Sequence, residues 1–187
     1  MRLNIPNLLT LLRMALLPIF VIVFYMPFYG QYAVCALIFA VAALTDWIDG
    51  YLARKLNQTT AFGAFIDPVA DKLMVAVALV LIVSVYADPW LTIPAAIIIC
   101  REIVVSALRE WMAELSLRAH VAVSHIAKYK TAMQMIALLG LLIAKTYTNS
   151  LIVQAAYILL YIAAILTIYT MLMYLRAAWP HLKDKTQ

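Results

Sequence analysis

The residues with the most chemical content are four aspartates, Asp46, Asp49, Asp67 and Asp71. They fall at the ends of two otherwise apolar stretches. A carboxylate in or near hydrocarbon is costly, so it faces a cavity or a partner. On a helix, residues three or four apart share a face. Asp46 and Asp49 are therefore neighbours, and so are Asp67 and Asp71. The polar connector between the stretches, residues 55–62 (KLNQTTAF), is short. The two stretches then form an antiparallel hairpin that carries both pairs to one depth. Four converging carboxylates repel one another unless they are protonated or neutralised. Oxygen ligands suit a hard divalent cation, and four carboxylates are enough for a bridged pair of ions. Two other uses compete: helix-end salt bridges such as Asp49–Arg54 or Asp71–Lys72, and a proton or ion pathway. Gly50 directly follows Asp49, where the missing side chain lets a ligand approach the backbone or lets helices pack closely.

The elements that must position these groups are membrane helices. The chain has 187 residues, is 67% hydrophobic and 12% charged, and has a mean hydropathy of +0.97. A water-soluble domain of this length needs far more polar surface. A span needs about 20 apolar residues, and with connections the length allows about six. No charge lies between Arg13 and Asp46, but PFYGQY at 27–32 interrupts that run with turn and interface residues. The expected helices are about 8–27, 32–55, 63–86, 90–112, 128–145 and 151–177. Pro18 is expected to kink the first. The start lacks a small-residue cleavage site and reads as a mature first helix, not a signal peptide.

The expected fold is thus all-α, a polytopic membrane protein with six transmembrane helices in a single domain, 1–187. All basic residues except Lys145 fall on one side, so that side and both termini face the cytoplasm. The net charge of +5 orients the protein and binds phosphate; it is not a nucleic-acid signature. Cys35 and Cys100 lie in apolar stretches without metal spacing and are expected to be buried thiols.

Together the polar positions read D46-x2-D49-G50-x2-A53-R54-x8-G63-x3-D67-x3-D71. This resembles the full signature of the CDP-alcohol phosphotransferase family at every fixed position and gap. The resemblance implies that Asp46, Asp49 and Asp67 ligate metal, Mg2+ or Mn2+ and two ions. It implies that Asp71 contacts metal and deprotonates the acceptor hydroxyl. Gly50, Arg54 and Thr60 match positions that hold the CDP part of a CDP-lipid donor.

The opening N4-I-P-N7-L-L-T10-L-L-R13, the stretch C100-R101-E102-I-V-V-S106-A-L-R109-E110-W111, and H125-I-A-K128-Y-K130-T131 are similar to one bacterial branch of that family. Its donor is CDP-diacylglycerol and its acceptor is sn-glycerol 3-phosphate. That similarity adds Asn7 and Thr10 to the donor site and implies an inner-membrane homodimer among membrane lipids. The acceptor's phosphate needs cations beside the metals, and Arg101, Arg109 and Lys128 are the candidates. Lys128 and Lys130 lie about 200 degrees apart on a helix, so at most one can face that pocket. Lys128 is chosen because it shares a face with His125 and Thr131, and Lys130 is expected at the headgroup surface. A pairing of Arg101 with Glu102 is not expected, because adjacent helical residues diverge. The competing functions are the same chemistry on inositol phosphate or serine, and an ion-coupled transporter.

Overall fold

A computed structural model describes residues 5–56, 61–114, 125–147 and 150–183, together with the short connections 26–30 and 87–88. Within these helices it does not describe the side chains of residues 5–6, 47, 49–56, 61–62, 64–65, 114, 125–128 and 180–183.

The described residues form six α-helices and no strand: α1 (Ile5–Tyr25), α2 (Gln31–Leu56), α3 (Ala61–Tyr86), α4 (Pro89–Glu114), α5 (His125–Tyr147) and α6 (Ser150–Lys183). Their bounds lie within a few residues of the expected ones, except at the end of α6, which runs six residues further. Among the described residues four stretches are long and apolar enough to cross a membrane: Asn7–Tyr25, Ile66–Tyr86, Pro89–Ala113 and Ser150–Trp179. Leu8, Leu37, Val80, Ile103 and Ile165 are each more than half exposed. Apolar side chains pointing outward on long helices fit a chain whose solvent is lipid.

The chain divides into two compact units. The first comprises Met1–Val85 and Leu138–Gln154, the second Tyr86–Ala137 and Ala155–Gln187. In the first, α1 packs on α2. Phe20 lies 6.3 Å from Phe24 and 6.4 Å from Phe39, and Phe24 meets Tyr32 edge-on at 5.4 Å. Cys35 is buried beside them, with its thiol aimed at the carbonyl of Phe20. Gly30 adopts φ +84° in the α1–α2 turn, a left-handed backbone that favours glycine. Its carbonyl then accepts the amides of Ala33 and Val34 and starts α2.

In the second unit Asp88 caps α4. Its Oδ1 accepts the Trp90 amide at 3.0 Å, and its carbonyl accepts the amides of Leu91 and Thr92. Two tyrosines of α6 join that turn: the Tyr157 hydroxyl donates to Asp88 Oδ2 at 2.7 Å, and Tyr161 donates to the Trp90 carbonyl at 2.7 Å. Further along, Val105, Met112, Tyr174 and Ala178 form a buried cluster with Leu108, Trp111 and Met171 against it. Cys100 is exposed, contrary to the expectation of two buried thiols. An apolar neighbourhood in sequence does not choose the helix face, and here the outer face is itself apolar.

Candidate active site

Two carboxylates of the first unit, Asp46 and Asp67, are held by α1. The Thr10 hydroxyl donates to Asp67 Oδ1 in a short hydrogen bond. Arg13 Nη1 donates to Asp46 Oδ1 at 2.7 Å. Asn7, Thr10 and Arg13 are all buried, so α1 presents one polar stripe at residues three apart. Arg13 is almost fully enclosed, while the Asp46 side chain is 41% exposed. The guanidinium therefore supplies its charge from within, and the carboxylate looks outward. Asp67 and Asp71 on α3 are half-buried, and Gly63 beside them is buried.

The bonds from Arg13 and Thr10 each take one carboxylate oxygen, Oδ1 of Asp46 and Oδ1 of Asp67. The donor set is all oxygen, which fits a hard divalent cation and not a soft one. Among the described residues no three ligating side chains are already gathered into a cage. Asp49, Gly50 and Arg54 lie on α2, but their side chains are outside the described residues, and Thr60 is outside them altogether. Lys128 lies on α5, and its side chain is likewise not described.

The cations lie in the second unit. Arg101 is buried in mid-α4; its Nη1 pairs closely with Glu102 Oε1, and its Nη2 donates to Thr170 Oγ1 of α6 at 2.9 Å. Lys130 of α5, only 3% exposed, donates from Nζ to the same Glu102 Oε1 at 3.0 Å. Arg109 is exposed, stacks 5.2 Å over the Tyr174 ring and donates from Nη2 to its hydroxyl at 3.2 Å.

Two expectations are corrected here. Arg101 does pair with Glu102: the Cβ directions of adjacent residues diverge, but both side chains are long enough to curl back and meet. Lys130 is not at the headgroup surface, because an ammonium buried this deeply needs the carboxylate that it has found. Reading the residues singly also missed Arg13 as the partner of Asp46, and Glu102 and Thr170 as partners of Arg101. A signal existed for Arg13, since an arginine inside an otherwise apolar helix must face a partner. Nothing local pointed to Asp46, 33 positions away.

The chain is similar to known proteins over nearly its whole length. The family model described as CDP-alcohol phosphatidyltransferase matches residues 3–169. A protein of Yersinia pestis (strain Pestoides F), named CDP-diacylglycerol--glycerol-3-phosphate 3-phosphatidyltransferase, is 56% identical over 98% of this chain and 100% of its own. Proteins of the same name from Pseudomonas fluorescens and Salmonella paratyphi A (strain ATCC 9150 / SARB42) are 58% and 55% identical. They cover 96% and 99% of this chain and 92% and 100% of their own. With a family model spanning most of its length and relatives this similar, the chain belongs to the CDP-alcohol phosphatidyltransferase family.

Proposed function

We propose that this chain transfers the phosphatidyl group of CDP-diacylglycerol to sn-glycerol 3-phosphate, giving phosphatidylglycerophosphate and CMP. The observation that carries the proposal is the similarity, over nearly the whole chain, to relatives named for that reaction. Residues 1–187 act as one catalytic domain, a view supported by α5 and α6, each of which runs through both compact units.

Asp46, Asp49, Asp67 and Asp71 would hold two divalent cations, Mg2+ or Mn2+. When bound, such ions neutralise a diphosphate and ease departure of a nucleotide leaving group. Asn7, Thr10, Gly50, Arg54 and Thr60 would hold the CDP-lipid. Thr10 and Arg13 orient Asp67 and Asp46 through the bonds described above. A carboxylate oxygen of Asp71 takes the proton of the acceptor hydroxyl. The deprotonated hydroxyl oxygen of the acceptor then bonds to the phosphorus that carries diacylglycerol, and the bond from this phosphorus to the CMP oxygen breaks, releasing CMP. Arg101 and Arg109 form the cationic wall for the acceptor's phosphate, with a third cation from α5, where Lys128 and Lys130 are the two candidates.

Six spans are proposed, with both termini and the active site on the cytoplasmic side of a bacterial inner membrane, on the strength of the basic-residue asymmetry. The homodimer rests on family resemblance alone. The test is CMP release by purified protein from CDP-diacylglycerol, with competing acceptors and with or without divalent cation. Release that requires glycerol 3-phosphate and a cation is expected. Preference for serine or inositol phosphate would overturn the acceptor, and full activity in a chelator would overturn the metal.

A further inference from the structure

We infer that Glu102 is a positioning residue for the acceptor's phosphate, and that the two cations it positions are Arg101 and Lys130. The inference rests on the acceptor proposed above and adds Lys130 and Glu102 to its site. One carboxylate oxygen receives both cations: Oε1 accepts from Arg101 Nη1 and, at 3.0 Å, from Lys130 Nζ. Arg101 is also held at 2.9 Å by Thr170. Thus α4 and α5 meet on one carboxylate, and α6 joins them through Arg101.

Charge decides what such a cluster is for. Arg101 and Lys130 are both more than nine-tenths buried. Two buried like charges repel and lose hydration, so they stay together only with a counter-charge. Glu102 supplies one. Arg109 adds a further repulsion on Lys130. The two buried cations against one carboxylate leave one positive charge inside, and the exposed Arg109 adds a second. A phosphate monoester dianion brings the complementary two. A purely structural ion cluster has no reason to be left unbalanced, because an excess charge inside an apolar bundle is costly.

Donor capacity agrees. Among the described residues the buried Nε of Arg101 has no hydrogen-bond partner. Lys130 has three N–H donors, and the bond to Glu102 takes one. Glu102 therefore holds both cations close together without exhausting them. It acts on substrate only through them.

The test uses purified full-length protein, CDP-diacylglycerol and glycerol 3-phosphate. Glu102→Gln keeps size and loses charge. The acceptor KM should rise at least tenfold while the CDP-diacylglycerol KM changes less than twofold. Glu102→Asp should recover part of the loss. Lys130→Met should raise the acceptor KM similarly, and Lys130→Arg should restore part of it. The double variant Glu102→Gln/Lys130→Met should be no worse than the worse single one, because both remove one arrangement. If Glu102→Gln does not fold, the Lys130→Met and Lys130→Arg pair carries the test, since Glu102 keeps Arg101 as its partner there. An acceptor KM unmoved by Lys130→Met, or an equal rise in both KM values, overturns the inference. Wild-type protein that rejects glycerol 3-phosphate overturns the proposed acceptor instead.

Discussion

Arg13 on α1 reaches Asp46 on α2 at 2.7 Å, joining an enclosed guanidinium to a carboxylate that is 41% exposed. The pair places a fixed positive charge behind an expected metal ligand. Arg13→Met removes that charge and leaves Asp46 without it. Losing a charge-assisted hydrogen bond costs about 1.5–3 kcal/mol. The melting temperature in detergent should fall accordingly, and CMP release should drop about tenfold. Arg13→Lys, which keeps charge without the planar fork, should fall between. An unchanged melting temperature in Arg13→Met would show that the pair does not hold α1 to α2.

The carboxylates themselves are tested by charge removal at constant size. Asp46→Asn, Asp49→Asn and Asp67→Asn should each abolish CMP release while the protein still inserts and folds. In wild-type protein a chelator should abolish release, and added Mg2+ or Mn2+ should restore it. The same cations should raise the wild-type melting temperature and leave that of the Asn variants nearly unmoved. Stabilisation of Asp67→Asn equal to wild type would remove Asp67 from the ligand set.

Asp71 has a separate expected role. Asp71→Asn cannot accept the acceptor's proton, so turnover should fall to background. Binding of CDP-diacylglycerol should persist, because Asp46, Asp49 and Asp67 remain. Near wild-type turnover in Asp71→Asn would assign the proton to another group.

Much of this was legible in the residues because it is local. The spacing of Asp46, Asp49, Asp67 and Asp71 survives any tertiary arrangement, since helical periodicity alone pairs them. Helix bounds followed from charge-free runs and the turns at Gly30 and Asp88. What was not legible depends on partners far apart in the chain. Arg13 reads as one more basic residue of the cytoplasmic side until α2 is packed against it. The choice between Lys128 and Lys130 depends on how α5 is rotated, which an apolar bundle in lipid does not reveal through its hydrophobic pattern. Cys100 shows the same limit, since inner and outer faces are both apolar.

Topology follows from the proposed orientation. Tags at residue 1, near 58, near 120 and at 187 should report cytoplasmic, and tags near 30, 88 and 148 periplasmic. One reversed loop would break the six-span arrangement and part the two aspartate pairs.

Recognition of the acceptor can be assigned to single side chains, and Arg109 is the most exposed of the candidates described. Its guanidinium carbon lies 5.2 Å from the centre of the Tyr174 ring, and Nη2 donates to the hydroxyl. The ring contact and this one hydrogen bond hold the guanidinium and still leave it further N–H donors for a phosphate. A dianion must be bound close to a diphosphate already rich in negative charge, and only fixed cations make that favourable. Arg109→Ala should therefore raise the glycerol 3-phosphate KM by about tenfold to a hundredfold, equivalent to about 1.5–3 kcal/mol. The CDP-diacylglycerol KM should change little. Arg109→Lys should recover only part, because paired donors are lost. Tyr174→Phe keeps the ring and removes the hydroxyl, so its effect should be a few-fold at most. On α5 the lysines discriminate themselves: with Lys130 buried against Glu102, Lys130→Met should raise the acceptor KM strongly and Lys128→Ala weakly. The reverse order would return the third cation to Lys128, the choice that spacing alone favours.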